Sequence, residues 1–500
     1  MRARPEAPFF RRTFPFAVFA AWLALTIPLA VAHEPWRDEV RAYTTAMEAD
    51  SLFDLPRVLR NEGHPGLWYA LIRAAAPAFG PASIKVLSLA CSAAAVLLIL
   101  LRGPGNRWLR ALFVFGALTL HEYPVVSQNY SLGFLLFAVL AVLWPRRHEQ
   151  PLLPGLALAA LANVNAHAAL FAALLALYWL TDAFPLRRPR ATLAAMLLFA
   201  GALLGAAAVI RPAGDTLVLR AAPTGLLDLV ALAARGTANL PSTLDGLLPG
   251  LPPALRLIPL LLVAAGLLVR PAAAVAALLG IVAFAASTEF YTASARHQGM
   301  LYLFLLFLHA TVLAGAARGR PFARALHRAA VLGAIPVLLG VQAVAAVRPV
   351  VADLTGPHSM TRALAEVLAS DPDLEDAVIL AEPDFLIEAL PYHARNDIYI
   401  VREDRFGRRV RFETGSRADL DLADLLAAAR RVRAGSGRPV VIVIGHDLPE
   451  AGPGSVEYPF KRRFTWTAES LMDYWKATQC IRHFRGSMTG EDFRADRLVR

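Results

Sequence analysis

Residues 14–32 read FPFAVFAAWLALTIPLAVA, an apolar run without a charged side chain. Basic side chains precede it: Arg2, Arg4, Arg11 and Arg12. A run of this length spans the hydrocarbon core of a bilayer, and the arginines before it predict a cytoplasmic N-terminus. A cleaved signal peptide is the alternative interpretation, because residues 30–32 (Ala-Val-Ala) resemble a small-residue cleavage site. Both interpretations place His33 on the non-cytoplasmic side of the membrane.

The composition extends this interpretation to most of the chain. Of its 500 residues, 57% are hydrophobic and 18% are charged, which is too apolar for one soluble core. The net charge of +11 does not indicate a nucleic-acid-binding protein, because the basic residues lie in short clusters between apolar runs. Nearly all of this charge is arginine, in a chain rich in alanine and leucine, which is typical of a GC-rich bacterial genome.

The basic clusters predict the topology. They lie at Arg102, Arg107 and Arg110; at Arg146 and Arg147; at Arg187, Arg188 and Arg190; at Arg270; and at Arg318, Arg320, Arg324 and Arg328. If every cluster is cytoplasmic, each interval between two clusters contains an even number of crossings. We therefore predict a polytopic α-helical membrane protein with about eleven transmembrane helices. The predicted spans are 14–32, 84–101, two within 109–144, two within 151–181, 193–210, 255–269, 272–287, 299–315 and 330–347.

Polar breaks and longer loops then fall on the non-cytoplasmic side. Residues 121–124 (His-Glu-Tyr-Pro) and 163–167 (Asn-Val-Asn-Ala-His) interrupt the two hairpins. Residues 211–254 and 288–297 form outer loops, and the first of these is expected to carry an interfacial helix at residues 225–234. Because the last predicted span runs outward, the C-terminus is also placed outside the cytoplasmic (inner) membrane.

Residues 351–500 differ from the apolar residues 1–350, and we predict that the two form separate domains. Charges become frequent from Asp353 onward, and no later run is long enough to span a membrane. The expected strands are 377–381, 397–402 and 439–445, and the expected helices are 360–370 and 419–433. This alternation predicts a small α/β domain on the non-cytoplasmic side.

The first outer loop, residues 33–43, reads HEPWRDEVRAY and contains an acidic pair, Asp38 and Glu39. A carboxylate just beyond a membrane face can take a proton from an attacking hydroxyl, so this pair is a candidate general base. Neighbouring residues on a helix point about 100° apart, which indicates that one of the two is structural. The alternative is a solvated helix start, with both acids favourably placed near the N-terminal end of the helix dipole.

An amphipathic segment at residues 42–60 and the short apolar run 67–79 are expected to lie at the membrane interface. Between them the chain reads Asn-Glu-Gly-His-Pro-Gly-Leu-Trp-Tyr at residues 61–69. The order of one span, then Trp-Arg-Asp-Glu at residues 36–39, then His-Pro-Gly-Leu-Trp-Tyr at residues 64–69 resembles the N-terminal part of the GT-C superfamily of glycosyltransferases. That superfamily includes protein O-mannosyltransferases and the aminoarabinose transferase that acts on lipid A.

The resemblance extends over roughly residues 14–347, with departures. Members typically carry a His-Pro-Pro-Leu-Tyr-Tyr-like stretch, in which Gly66 here replaces the second proline and Trp68 the first tyrosine. Residues 128–132 (Gln-Asn-Tyr-Ser-Leu) are similar to the family's Arg-Pro-Tyr-Ala-Leu stretch, but Asn129 stands near the position of a basic residue. Arg296 followed by His297 resembles the Arg-His pair before a late span.

The resemblance implies transfer of a sugar from a polyprenyl-phosphate carrier to a lipid, glycan or protein acceptor at the outer membrane face. It implies that Asp38 orients or deprotonates the acceptor hydroxyl, with Glu39 as the less favoured base. Arg296 and His297 are expected to neutralise the leaving phosphate, a role that suits guanidinium geometry.

Further polar residues share the predicted outer side with Asp38: His64, Glu122, Tyr130, Asn165 and His167. A helix-end cap is the ordinary role of a histidine or glutamate at such a place, but ionisable groups near membrane depth are usually functional. A divalent metal on Glu122, His64 or His167 stays open, since both residue types ligate zinc. No two of them have ligand spacing on one helix, so the sequence assigns no metal site and no cofactor.

Two other functions are compatible with a polytopic chain. The first is a transporter or flippase of lipid-linked envelope intermediates, which usually has repeated halves and ionisable groups near the membrane midplane. Here the span centres are nearly free of charge and the halves differ, which favours the glycosyltransferase. The second is a mere anchor for the C-terminal domain, for which one helix suffices.

Overall fold

The computed structural model describes residues 8–182, 187–212, 214–217, 225–314 and 320–499. The chain is mostly helical and ends in a domain built on a β-sheet, which confirms the predicted fold class in outline. Arg2, Arg4, Arg318 and part of the predicted loop 211–254 lie outside the described residues.

Apolar helices dominate the first part of the chain. Within the part of the chain that the structure describes, four helical stretches are long and apolar enough to cross a membrane: Arg12–Ala32, Leu67–Arg102, Pro189–Ile210 and Pro321–Thr355. Shorter apolar helices lie at Tyr130–Arg146, Leu152–Ala162, Ala166–Asp182, Pro253–Val269 and Pro271–Ser287. The chain therefore has the helices of a membrane protein, while the number of about eleven crossings stays a prediction.

The N-terminal helices follow the predicted pattern of apolar runs and polar breaks. They are α1 (Pro8–Ala32), α2 (Arg37–Glu48), α3 (Leu55–Val58), α4 (Leu67–Phe79), α5 (Ser83–Arg102), α6 (Arg107–Val114), α7 (Tyr130–Leu143), α8 (Leu152–Ala162), α9 (Ala166–Asp182) and α10 (Pro189–Ile210). A π-helical turn, Leu118–Glu122, and an irregular segment through Pro124 separate α6 from α7. Proline has no backbone N–H and cannot continue the helical ladder there.

The next helices are α11 (Leu226–Thr243), α12 (Pro253–Ala265), α13 (Pro271–Ser287), α14 (Ala295–Leu313), α15 (Pro321–Ala329), α16 (Ile335–Ala345) and α17 (Val347–Thr355). Three sequence predictions need correction here. The helix expected at residues 225–234 continues to Thr243, because it packs along α13. Helix α14 begins at Ala295, so Arg296 and His297 lie in its first turn and not in the loop. Helix α17 runs through the predicted domain boundary to Thr355.

The C-terminal domain has more strands than its sequence pattern indicated. Its helices are α18 (Thr361–Ser370), α19 (Leu390–His393), α20 (Leu422–Ser436) and α21 (Ala468–Ala477). Its strands are β1 (Val378–Glu382), β2 (Tyr399–Ile400), β3 (Arg405–Phe406), β4 (Asp419–Asp421), β5 (Val440–Ile444), β6 (Gly454–Tyr458), β7 (Arg462–Trp466), β8 (Thr478–Phe484) and β9 (Phe493–Leu498). The strand predicted at 397–402 is shorter in the structure: β2 covers Tyr399–Ile400, and a 3₁₀ turn at Val401–Glu403 follows it.

The central sheet has the strand order β1-β5-β9-β8, with β1 and β5 parallel and the other two pairs antiparallel. Every residue of β1 and β5 is buried, as in parallel strands covered on both faces. Alternate residues serve two cores: Ile379 and Val441 pack with α18, whereas Leu380 and Ile442 pack with α20 and α21. A second sheet has the order β4-β7-β6.

The C-terminal domain is fastened to the N-terminal helices by buried ion pairs. Arg409 lies on the domain and reaches Glu48 (2.6 Å), Glu62 (2.7 Å) and the carbonyl of Val58 (3.0 Å). Arg41 on α2 donates to Glu388 of the domain at 2.6 Å. These contacts hold the domain against α2, which is the helix that carries Asp38.

Candidate active site

A polar cavity of about 190 Å³ lies where α2, the segment before α4, the segment before α7 and the start of α14 meet. Its walls include four residues predicted from sequence: Asp38, His64, Tyr130 and Arg296. Eight more residues line it: Arg41, Ala42, Glu62, Trp68, Tyr69, Gln128, Asn129 and Tyr291. Residues more than 250 positions apart in the chain thus share one small polar space.

Asp38 and Arg296 are hydrogen-bonded to each other at the wall of this cavity. The Arg296 Nη2 atom donates to Asp38 Oδ2 at 3.2 Å, and Nη1 lies 4.0 Å from Glu122 Oε1. The guanidinium also lies over the Trp36 ring, with 5.5 Å from Cζ to the centroid. Its buried Nε has no hydrogen-bond partner among the described residues. Arg296 therefore keeps a donor free for an anion, and Asp38, at 39% side-chain exposure, stays reachable.

Glu39 points away from the cavity although it is the next residue on α2. Its side chain is fully buried and accepts from the Ser127 N–H, from the Trp36 N–H at 3.2 Å and from His33 Nε2 at 2.9 Å. Burial raises the pKa of Glu39, but the charge of His33 outweighs this effect and the pKa is lowered overall. The structure thus places Glu39 in a packed hydrogen-bond network and not beside the cavity.

Arg41 lies one turn after Asp38 on α2 and contributes a second guanidinium to the cavity wall. It donates to Glu62 through Nη2 at 2.7 Å and through Nε at 3.0 Å. Glu62 also accepts from Arg409. Burial disfavours the charge of Glu62, but the two arginines outweigh burial and hold its pKa below the usual value. Glu62 is thus occupied by two guanidinium groups, and Asp38 is the more exposed of the two cavity carboxylates.

His64 presents an imidazole to the same space. Burial is the main cause that lowers its pKa, so the ring is neutral near pH 7. Its Nδ1 is buried and has no hydrogen-bond partner among the residues that the structure describes. Such an atom gains from a polar ligand group, because an unsatisfied buried acceptor or donor is costly.

Tyr130 lies in the cavity wall, and Asn165 lies behind the wall residue Asn129. Asn165 caps α9 through its Oδ1, which accepts from the Ala168 N–H at 2.8 Å, and it donates to Asn129 Oδ1 at 3.1 Å. It therefore has the ordinary capping role while it orients Asn129 at the cavity wall. Tyr130 is the first residue of α7 and is itself part of that wall.

His297 and His167 lie next to the cavity but do not line it. His297 forms a capping box with Ser294 at the start of α14, and its Nε2 lies 2.7 Å from the Tyr291 hydroxyl. The His167 and His297 ring centroids are 5.2 Å apart, and His167 Nε2 lies 3.3 Å from the Ser287 hydroxyl. His297 thus positions Tyr291, which is a wall residue.

A second polar cluster lies beside the first turn of α2. His33 Nδ1 lies 3.1 Å and 3.2 Å from the two carboxylate oxygens of Asp353, and His121 Nε2 lies 2.6 Å from Asp353 Oδ2. His358 Nδ1 lies 3.1 Å from Asp353 Oδ1. Burial disfavours charge on His33, but Glu39 and Asp353 outweigh it and raise the pKa of His33 to about 9.

Within the described ranges, the metal-ligating side chains that come together are His33, Asp353 and His358. They are not the set for which the sequence left a metal open, namely Glu122, His64 and His167. In the sequence, Asp353 only marks the position from which charged residues become frequent, and no ligand role was predicted for it. Its approach to His33 spans 320 positions and has no local sequence signal.

Sequence reasoning also missed Arg41 and Glu62 as wall residues. Both lie close to the stretches that carry the resemblance: Arg41 follows Asp38 by three positions, which is the spacing of neighbours on a helix face. Glu62 precedes His64 by two positions. Helical spacing could have identified Arg41, whereas the pairing of Glu62 with Arg409 depends on the C-terminal domain.

Comparisons with known proteins leave the family open. No family model matches the sequence. No curated protein matches it either. Among solved structures, the arabinofuranosyltransferase AftD from Mycobacteria is similar with a TM-score of 0.40 and 14% identity, over 98% of this chain and 40% of that chain. The chain thus spans less than half the length of that structure, and the overlap is too loose to assign a function.

Proposed function

We propose that this protein is a membrane glycosyltransferase that moves a sugar from a polyprenyl-phosphate-linked donor to a hydroxyl acceptor. One observation carries the proposal: Asp38 and Arg296 approach to 3.2 Å at the wall of a polar cavity. In such a transfer the acceptor hydroxyl gives up its proton, and negative charge develops on the leaving phosphate. A carboxylate and a guanidinium on one wall match these two charges.

The reaction is a displacement at the anomeric carbon. The acceptor oxygen forms the new bond to this carbon while its proton passes to Asp38. The bond from the anomeric carbon to the phosphate oxygen breaks, and the phosphate leaves with the electron pair. Arg296 stabilises the leaving group, since its Nε has no partner among the described residues and charge-assisted bonds to phosphate are strong.

The remaining wall residues suit a sugar. His64 offers a buried nitrogen without a partner, and Tyr130, Asn129 and Gln128 add hydroxyl and amide groups. These are the groups that bind sugar hydroxyls through hydrogen bonds. Arg41 is held in the cavity wall by its hydrogen bonds to Glu62. Glu39 receives no part in the transfer, because its carboxylate is already occupied by three donors.

The proposed location is the outer face of the cytoplasmic membrane. Support comes from the arginine clusters between the apolar runs, since the positive-inside rule assigns them to the cytoplasmic side and the loops with Asp38 and His64 to the other side. The same topology places the C-terminal domain outside, where its contacts with α2 adjoin the cavity. A lipid-linked donor in the membrane and an acceptor from the outer space then reach the cavity from different sides.

The test measures release of polyprenyl phosphate from a panel of polyprenyl-phosphate sugars by the purified protein in liposomes, with envelope glycans from cells that lack the protein added as acceptors. Comparison of cell-envelope glycans from cells with and without the protein, by mass spectrometry, selects the sugars of the panel. We expect Asp38→Asn to lower the rate about 10²–10⁴-fold, the usual contribution of a general base. Asp50→Asn is the matched control, since Asp50 is an exposed acid of the same outer segment.

Two results contradict the proposal. An Asp38→Asn protein that releases polyprenyl phosphate at the wild-type rate removes Asp38 as the base. Movement of the intact lipid-linked sugar across the liposome membrane without any release of polyprenyl phosphate identifies a flippase instead.

A further inference from the structure

The histidine cluster around Asp353 is separate from the wall of the cavity. None of His33, Asp353 and His358 is a wall residue of that cavity. The side chains of His33 and Asp353 are 0% and 1% exposed, and that of His358 is 18% exposed. The proposed sugar transfer does not use them.

Three ligand atoms of this cluster lie close enough for one ion. The His33 Nδ1, the His358 Nδ1 and a carboxylate oxygen of Asp353 all lie within 4.8 Å of one another. Asp353 Oδ1 lies 3.2 Å from His33 Nδ1 and 3.1 Å from His358 Nδ1. Ligand atoms of a tetrahedral zinc site are about 3.3 Å apart, given bonds of about 2.0–2.1 Å to the ion.

Glu39 sets the orientation of the His33 ring. A carboxylate only accepts, so the Glu39 contact at 2.9 Å places a proton on His33 Nε2. His33 Nδ1 then faces the Asp353 carboxylate at 3.1 Å, and either a second proton on the ring or a metal ion between the two groups satisfies this contact. Histidine ligands of metals usually donate their other ring N–H to a carboxylate in this way.

We infer that His33, Asp353 and His358 form a binding site for a divalent transition-metal ion, of which zinc fits the donor set best. Two imidazole nitrogens and one carboxylate are ligands that zinc prefers, whereas calcium and magnesium prefer oxygen alone. His121 lies on the other side of the same carboxylate, with Nε2 at 2.6 Å from Asp353 Oδ2, and supplies a fourth polar group.

The ion joins two parts of the chain. His33 lies between α1 and α2, Asp353 belongs to α17, and His358 leads into the C-terminal domain. A metal on these three residues holds the start of the domain against the turn from which α2 begins. Such a bond contributes directly to the stability of the folded protein.

The experiment measures metal in the full-length protein, purified through an affinity tag without histidine and without chelators. We expect about one zinc ion per chain by elemental mass spectrometry, and a loss of at least about tenfold in the His33→Ala/His358→Ala variant. His483→Ala is the matched control, because His483 is an exposed histidine of the same domain, and it should keep the metal.

A second measurement covers the case in which the double variant does not fold. Wild-type protein is treated with a chelator and then titrated with ZnCl₂, and its melting temperature is followed. We expect the chelator to lower the melting temperature and zinc to restore it. Wild-type protein that contains no metal and does not bind added zinc overturns the inference and identifies the cluster as protonated imidazoles. Zinc that persists in a folded double variant overturns it as well.

Discussion

The cavity around Asp38 and the cluster around Asp353 adjoin the same turn of α2 and differ in how completely their polar groups are paired. In the cluster, Glu39 accepts three hydrogen bonds and Asp353 is approached by three imidazoles. In the cavity, Asp38 is partly exposed, and Arg296 and His64 each keep a nitrogen without a partner among the described residues. Complete pairing rigidifies a site, whereas unused donors and acceptors are what a substrate can bind.

Two adjacent carboxylates thus have different roles because their side chains point in different directions. Asp38 and Glu39 have the same chemistry and lie on the same helix. One faces the cavity, and the other faces the junction of α1, the π-helical turn and the C-terminal domain. Corresponding mutations in the cavity and in the cluster therefore test whether the cavity is reactive and the cluster structural.

The largest effect on stability is expected at Glu39. Glu39→Ala leaves the His33 ring and the N–H groups of Trp36 and Ser127 without their acceptor, so we expect a loss of about 3–5 kcal/mol in unfolding free energy. Asp38→Ala removes one side of a partly exposed ion pair and should cost less than about 1 kcal/mol. Denaturant unfolding in detergent measures both. Equal losses at the two positions would erase the distinction between the regions.

The next effect concerns catalysis and not stability. Arg296→Ala should lower the rate of transfer about 10²–10³-fold, as does the loss of one group that stabilises charge in a transition state. The transfer rate of Arg296→Lys should lie between the rates of Arg296→Ala and the wild type, because lysine keeps the charge and loses the planar fork. The exposed Arg235 provides the control, as Arg235→Ala. A rate for Arg296→Ala within about twofold of wild type would show that the cavity arginine does not contact the leaving group.

A somewhat smaller effect is expected at Arg409, which links the C-terminal domain to the cavity wall. Arg409→Ala leaves Glu48 without this partner, although Glu62 keeps Arg41. We expect the free energy of unfolding to fall by about 3 kcal/mol, the low end for a broken buried ion pair. Proteolysis between the domain and α17 should then be faster. Arg438→Ala, in an exposed pair with Asp397, should change proteolysis little. Similar rates for both variants would contradict a coupling role for Arg409.

The smallest effect is a dependence on pH from Glu491, a buried residue of the C-terminal domain beside Arg37. Burial is the main cause that raises its pKa to about 7, against the opposing charge of Arg37. Because the folded state holds the proton more tightly, this contribution to stability is present at low pH and is lost as pH rises through about 7. Between pH 5.5 and 7.5 we expect the free energy of unfolding to decrease by about 1–2 kcal/mol.

The measurement compares the wild type with Glu491→Gln, which mimics the protonated carboxyl at every pH. The difference in melting temperature between the two proteins should widen in favour of the variant as pH rises. A constant difference across this range means that Glu491 does not titrate in the folded protein.

Sequence patterns anticipated the helices well, because apolar runs and polar breaks are local features. The breaks at residues 121–124 and 163–167 both separate helices in the structure. The buried strands β1 and β5 were also anticipated, since they are short runs of β-branched residues. The strands β6 to β9 were not: β6 and β8 carry exposed polar residues, β9 contains the buried Asp496, and pairing with distant strands is not visible locally.

The candidate site divides in the same way. The sequence by itself determined that four residues are unusual polar side chains beside apolar runs: Asp38, His64, Tyr130 and Arg296. Charge and hydropathy are properties of each residue type and do not depend on the fold. Only the tertiary structure decided that these four line one cavity, that Glu39 turns away from it, and that Asp353 meets His33. The physical reason is that pairing over hundreds of positions depends on how helices pack, and side-chain direction on α2 depends on what each face is buried against.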